Sequence, residues 1–413
     1  MSSKRILIVG GGLGGLALGQ GLKKAKFPVP FHIFERDSDA AFRAQGYRIR
    51  ISPEGAAALS SLLPAERWSQ FEATCAPPLP SFSQVDALTG KAVPGAGGPP
   101  RGAPTGRSYN ADRTLLRNVL LGGMEQHISF NKKFVGYQRI SDEEFEASFS
   151  DGSVERASMI IGADGSKSLV RRSLLPDFHL LDTDGRAVFG KTELTPDLAS
   201  RIPEELKKGI CLVDNQDEGL ATLFCDPMIF DRSSGMDLPA DYIYWVLLFR
   251  HDKLAKLGLD ASIKELLSKT SLESTQLADH FTKSWAENIR ILFDNQISAA
   301  TSTLMFLNTS NDILQTSWQQ LREGQPARAP FVTLLGDAAH TMPPVGGVGA
   351  NVAFQDAHDL YSTLMDEETP LNKTITAYEL KMLSRISEIL ARNNGAAVRF
   401  GMRPLQEQTP VAE

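Results

Sequence analysis

Cysteine is scarce: the 413-residue chain has three, Cys75, Cys211 and Cys225. An odd number at wide spacing indicates neither a disulfide framework nor a CxxC metal or redox pair. It also argues against flavoprotein disulfide reductases, which need two neighbouring thiols, and leaves reduced core thiols as the reading. Long apolar runs are missing too. Nothing approaches the ~18 residues that would span a bilayer. Only a short apolar run follows Arg5 before a glycine cluster, too little for a secretory leader. No long basic run or aromatic-basic interleaving occurs. With 43 Lys and Arg against 49 Asp and Glu the formal net charge is −6, so nucleic acid is not an expected partner. Internal repeats are absent. The expectation is a cytoplasmic protein with no membrane association and no metal site, and a monomer or homodimer.

What is present begins at once. The apolar run Ile6-Leu7-Ile8-Val9 feeds Gly10-x-Gly12-x-x-Gly15, a helical pattern opens from Leu16 to Lys24, and Phe31-His32-Ile33-Phe34 ends in Glu35. This spacing forms a dinucleotide cradle. Its glycines supply a tight turn, close backbone approach to a pyrophosphate, and close packing of helix on strand. Exposed N–H groups at the helix start, around Leu13 and Gly14, hold the phosphates. Glu35 reads a ribose diol and would repel a 2′-phosphate, so the site suits FAD or NAD rather than NADP.

With 42 % hydrophobic residues, the chain can bury a large core and is expected to form two domains. Residues 76–106 are rich in proline and glycine, and their composition predicts an inserted surface segment without packed strands. Asp112 leads a helical stretch to Leu121, Asp151-Gly152 marks a hairpin turn, and Met159 to Gly162 is a short buried strand. Tyr242 to Phe249 is a strong strand candidate, followed by a helix-rich part from Ser262 to Phe293. Phe331 to Leu335 gives another buried strand, with helices expected over 350–365 and 371–400. The nucleotide unit is therefore discontinuous: 1–75, 107–180 and 321–370. Residues 181–320 form a second domain and 371–413 a C-terminal helix and tail.

Three segments in this order, Gly10-x-Gly12-x-x-Gly15 with Glu35, Gly162-Ala163-Asp164-Gly165, and Gly336-Asp337-Ala338-Ala339-His340, resemble the single-component (class A) flavoprotein monooxygenases, the group of para-hydroxybenzoate and salicylate hydroxylases. Met342 to Asn351 is similar to fungal and bacterial secondary-metabolite members. The resemblance implies an α/β fold, with a Rossmann-type, para-hydroxybenzoate hydroxylase-like FAD domain and a second α+β domain whose sheet covers the flavin. Glu35, next to Arg36, would bind the adenosine ribose, Arg113 the ribityl and phosphate region, and Asp337 the ribityl hydroxyls. Asp164 belongs to a motif associated with FAD and nicotinamide binding. Arg48 and Arg50 resemble arginines near the pyrophosphate, with only one expected to face it and Arg50 favoured. Pro344, Gly346, Gly347, Gly349, Ala350 and Asn351 would lie beneath the isoalloxazine ring, where helix-start amides stabilise negative charge on reduced flavin. His340 is expected to pack or cap rather than catalyse.

The implied chemistry belongs to the cofactor. NADH or NADPH, bound transiently because no second GxGxxG occurs, would reduce FAD. O2 would then give a C4a-hydroperoxide that hydroxylates or epoxidises an aromatic or polyketide-like small molecule. Lys191 occupies a region where related phenol hydroxylases place a basic residue, and Tyr244, which shares a strand face with Tyr242, is the other catalytic candidate. Two alternatives stay open: a flavin-dependent oxidase or halogenase-like enzyme, and a flavin-binding carrier without turnover. Trp68, Trp245, Trp285 and Trp318 form no Trp-x-Trp motif of the tryptophan halogenase type.

Overall fold

The computed structural model describes residues 5–27, 29–39, 47–98, 106–214, 221–259, 262–324, 332–366 and 368–411. An apolar run without polar alternation suits a strand covered on both faces, and β1 (Ile6–Val9) is buried at all four positions. The chain turns into α1 (Leu13–Lys24), whose last-turn lysines complement the helix dipole, and returns as β2 (Phe31–Phe34), parallel to β1. β3 (Arg48–Ile51) pairs antiparallel with β4 (Tyr109–Asp112), placing Arg48 opposite Asp112. Asp112 then caps α2 (Arg113–Leu121): its Oδ1 accepts from the amides of Thr114 and Leu115 at 2.8 and 3.2 Å. The hairpin at Asp151-Gly152 joins Phe145–Phe149 to Val154–Ala157. β5 (Met159–Gly162) then pairs with β1.

Three long antiparallel strands follow, β6 (Leu181–Glu193), β7 (Ala221–Met228) and β8 (Tyr242–Arg250), with β8 between the other two. After a helical stretch the chain returns as β9 (Val332–Leu334), pairing with β5, and ends in α3 (Gly349–Leu364) and α4 (Leu371–Arg399). The first sheet runs β9-β5-β1-β2, with Ile128–Ser129 at its far edge, and every pairing is parallel. Helices α1 and α3 pack against each other beside it. In an open parallel sheet ligands bind beyond the carboxyl ends of the strands, and the glycine turns after β1, β5 and β9 all lie there.

The second sheet has eight strands: Ser302–Asn308, β6, β8, β7, Gly209–Asp214, Ser81–Asp86 and Ala92–Gly98, with Thr409–Pro410 added beside β6. The segment 76–106, expected to lack packed strands, thus supplies one edge of this sheet. Ser81–Asp86 pairs parallel to Gly209–Asp214, and Ala92–Gly98 closes the edge. Pro94 is tolerated because an edge strand has ladder positions where no amide is needed, and Gly95 and Gly97 take φ of +76° and +155°. Residues 99–105 of that segment lie outside the described residues. Among the described residues no helix is long and apolar enough to cross a membrane.

Candidate functional site

At the end of β1 the backbone must turn sharply and stay close to β5. Gly10 takes φ +109°, and a Cβ there would lie 2.3 Å from the Ala163 carbonyl oxygen. A Cβ on Gly15 would meet the Gly10 carbonyl oxygen at 2.2 Å, so this glycine lets α1 pack onto the turn. Gly14 serves a different contact: a Cβ would meet Leu335 Cδ1 at 2.7 Å. Gly12 is unlike all three, because a Cβ there would find nothing within 4 Å. Gly12 is also the N-cap of α1, which has no side-chain cap and no acid in its first turn. Half-buried Leu13 follows it.

Elsewhere Ser52, Asp112, Ser168, Thr195, Ser262 and Thr270 cap their helices, while the helices Ala65–Thr74, Glu287–Asp294 and Leu371–Arg399 have no side-chain cap. The other long helix at the cradle, α3, resembles α1: no side chain caps its N terminus and its first turn holds no acid. The turn before it needs glycine, since Gly346 and Gly347 take φ of +74° and +65°. Pro344 and Gly346 are exposed, while Gly347, Gly349 and Ala350 are half-buried. Two bare helix starts present N–H groups and positive dipole ends to one crevice, which suits phosphates and a charge-bearing ring.

The carboxylates divide into committed and open ones. Glu35 is buried; its Oε2 accepts from the Gly11 amide at 2.7 Å and its Oε1 from the Asp37 amide at 2.9 Å. Each oxygen keeps a lone pair for a hydroxyl. Neighbouring Arg36 is exposed. Asp337 is also exposed by area, yet protein crowds it on its other sides, as at the floor of a concavity. Burial pushes its carboxyl up, against the pull of His340, Arg113 and Arg171. Gly349 comes close to it, a Cβ there lying 3.9 Å from Asp337 Oδ1. Arg113, at the start of α2, stands with its guanidinium carbon 5.4 Å from the Tyr47 ring centroid and contributes to the field at Asp337. The structure thus brings Arg113 and Asp337 together from distant parts of the chain.

Two motif residues have structural tasks. The Asp164 side chain accepts from Ser168 Oγ at 2.5 Å and from the Leu169 amide at 2.8 Å, tying down the helix Leu169–Leu174. Burial raises its pKa. Asn351 is used at both ends: Oδ1 accepts from the Ser52 amide at 2.8 Å, and Nδ2 donates to the carbonyls of Arg50 and Gly347 at 2.9 and 2.8 Å. It ties β3 to the start of α3. Only backbone groups of Asn351 remain for a ligand.

Facing the crevice is one side of the large sheet. Lys191, Tyr244 and Asp226 stand in register across β6, β8 and β7. Arg48 forms a buried ion pair with Asp226, and Arg50 also acts on that carboxylate. Arg48 and Arg50, two positions apart on a strand, share a face, so alternation does not separate them as the expectation that only one faces a pyrophosphate assumed. Burial raises the Asp226 pKa, against both arginines. Beside this pair Tyr242 Oη donates to Asp112 Oδ2 at 2.8 Å. Lys191 Nζ lies 3.9 Å from the same oxygen and 4.8 Å from the Tyr242 ring centroid. Lys191 is therefore a cation beside the Asp112 carboxylate but beyond hydrogen-bond distance of it. Tyr244 is 6 % exposed, and among the described residues its hydroxyl has no hydrogen-bond partner. Rings of Tyr47, Phe189 and Phe224 surround it, with centroids 6.5, 6.3 and 6.2 Å away. Asp226 and the second role of Asp112 escaped the sequence reading. A lone acid inside the apolar strand Phe224-Cys225-Asp226 was the available signal.

The residues present fit a dinucleotide. They offer bare helix-start amides, open space at Gly12, hydroxyl acceptors at Glu35 and Asp337, and an aromatic wall opposite. Residues 300–392 match the FAD binding domain family. The chain is 33 % identical over 380 residues to the dual O-methyltransferase/FAD-dependent monooxygenase elcB of Phaeosphaeria nodorum, covering 86 % of this chain and 39 % of that one. It is 31 % identical over 427 residues to CTB3 of Cercospora beticola, a protein of the same description, covering 98 % and 47 %. The chain thus spans less than half the length of these two relatives. Among solved structures, a candidate FAD-containing monooxygenase from Photorhabdus luminescens subsp. laumondii superposes with a TM-score of 0.74 at 26 % identity, covering 95 % of this chain and 96 % of that one.

Proposed function

We propose that the chain is an FAD-dependent monooxygenase, with FAD as its cofactor, and that it uses NAD(P)H and O2 to oxygenate an aromatic or polyketide-like small molecule. The observation that carries this reading is one apolar cluster. It joins Phe189, Tyr242, Tyr244 and Val246 of the large sheet to Val345 of the glycine-rich turn, with Tyr47 packed against it. A flat apolar substrate would lie between that wall and the ring over α3. The two fungal relatives described as combining O-methyltransferase and monooxygenase support a phenolic product, because a new phenol is a methyl acceptor.

In this reading the amides following Gly12 hold the pyrophosphate, with Gly10, Gly14 and Gly15 shaping the turn. Glu35 takes the ribose diol, Asp337 and Arg113 take the ribityl and phosphate region, and Arg50 lies at the flavin edge. Amides at Gly347, Gly349 and Ala350 stabilise negative charge on the ring. The bound FAD supplies hydride acceptance from NAD(P)H and activation of O2. The aromatic wall excludes water, and the Tyr244 hydroxyl offers a hydrogen bond to a substrate oxygen. The FAD unit comprises 1–75, 107–180 and 321–370, residues 181–320 form the substrate side, and 371–413 form a C-terminal helix and tail.

The visible spectrum of the purified protein, followed anaerobically with NADH or NADPH and a panel of phenols and polyketides, tests this. Flavin bleaching that one compound accelerates is expected. Bound FAD that neither coenzyme reduces would overturn it. A second check is Asp337→Ala, expected to raise the FAD dissociation constant at least ~10-fold, the worth of one good polar contact.

A further inference from the structure

His340 ends the turn that carries Asp337, and it is almost sealed, at 1 % exposure. Its Nε2 is 2.6 Å from Asp356 Oδ2 on α3. That same oxygen accepts from the Gly336 amide at 2.9 Å, so one carboxylate oxygen holds both ends of the turn. The other oxygen of Asp356 accepts from Arg385 of α4 at 3.0 Å, and Arg385 also donates to Asp359 at 2.8 Å. Lys381, one turn earlier on α4, donates to Asp359 at 2.7 Å. Gly336 takes φ +59° with ψ −145°, a backbone state that is held by its surroundings.

A chain of charge-assisted bonds therefore runs from the C-terminal helix to the turn whose carboxylate opens into the cradle. We propose that α4 takes part in holding FAD: through Arg385 and Asp356 it fixes His340 and Gly336, making His340 a positioning residue for Asp337. The proposal rests on the assignment of Asp337 to the FAD site. Charge supports the geometry. Burial works against a protonated imidazole, but the Asp356 carboxylate beside it wins, and the His340 pKa is raised. Asp356 is held low by His340 and Arg385 in spite of its burial. The groups acting here are Asp356 from α3, Asp337 on the turn itself, Arg385 from α4, and, through Asp337, Arg113 from α2 and Arg171 from the helix Leu169–Leu174. A protonated His340 thus favours the charged form of Asp337, the form that accepts from a hydroxyl.

The test is FAD titration into the flavin-free full chain, read by flavin fluorescence from about pH 6 to about pH 9. In the unaltered protein the affinity should fall as pH rises through the raised His340 pKa and the positive charge is lost. His340→Gln should raise the dissociation constant about 10-fold at the acidic end and flatten the pH profile. Added to Asp337→Ala, it should cost less than about 2-fold more, because it acts through that carboxylate. Arg385→Gln, at the surface end of the chain, keeps the idea testable if His340→Gln does not fold, and a several-fold weakening is expected. An unchanged constant and pH profile in His340→Gln would overturn the proposal, as would a fully additive loss in the double variant. If Asp337→Ala itself leaves FAD affinity intact, the placement of the FAD site falls first and this inference with it. If Asp337→Ala weakens FAD and His340→Gln does not, only this inference falls.

Discussion

The two sides of β8 are equally buried and chemically opposite. Ile243, Trp245, Leu247 and Phe249 point to one side, where they meet the helices Ser271–Thr282 and Glu287–Asp294. Trp245 and Phe293 have centroids 5.0 Å apart, Phe249 and Phe281 4.4 Å, and the Trp245 indole donates to Thr192 Oγ1 at 3.0 Å. Tyr242, Tyr244, Val246 and Leu248 point to the other side, where the ion pairs of Arg48 with Asp226 and Lys191 with Asp112 lie among aromatic rings. Apolar packing alone would stabilise the sheet at lower electrostatic cost, because burying an ion pair gains little over a hydrophobic substitute. The charged side thus holds something other than stability, namely polar groups fixed at chosen points of an otherwise dry wall.

Substitutions on the two sides should separate folding from function. Trp245→Ala opens a large cavity on the helix-covered side and should cost ~3–5 kcal/mol of stability in thermal or denaturant unfolding. Where the variant still folds, FAD affinity should be close to normal. A loss of FAD affinity with stability intact would erase the distinction between the sides. Asp226→Asn leaves Arg48 buried without its partner and should destabilise by about 3 kcal/mol, with a matching fall in melting temperature. A neutral outcome would show that Arg48 finds another anion. Gly12→Val belongs to neither side and should leave stability within ~1 kcal/mol while abolishing the yellow colour of the purified protein, since the open space at Gly12 is where backbone must approach a phosphate. Tyr244→Phe is the finest probe. Removal of a hydroxyl with no partner among the described residues should change the melting temperature little but raise the substrate KM or uncouple NAD(P)H oxidation from oxygenation. An unaffected turnover profile would return Tyr244 to a packing role.

The comparison also shows what a strand sequence hides. Tyr242-Ile243-Tyr244-Trp245-Val246-Leu247-Leu248-Phe249 reads as a buried strand, and alternation places the two tyrosines together, as observed. Nothing in the run says which side meets helices and which meets the cradle, because both are apolar. Lys191 was recognised as a basic residue near the site, but its neighbour Asp112 is far away in sequence and opposite Arg48 only through the pairing of β3 with β4. The proline- and glycine-rich stretch before Arg107 was misjudged for a related reason. Composition weighs against a strand in isolation, whereas a sheet edge already formed by Gly209–Asp214 supplies the partner that makes the strand worthwhile.

Local steric and electrostatic rules were enough to fix the strand-turn-helix around Gly10, Gly12 and Gly15, the acid at the end of β2, the glycine turn before α3, and the cap at Asp112. Each depends on neighbours within a few residues, so the sequence alone determines it. Tertiary structure decided which carboxylates were spent. Asp164 went to the framework, Asp226 to the buried Arg48, Asp112 to the cap of α2 and to Tyr242, Asp356 to His340 and Arg385, and Asp337 was left open to the crevice. The physical reason is that a carboxylate's role is set by whichever donor shares its low-dielectric surroundings, and only the packing of distant segments brings that donor within reach.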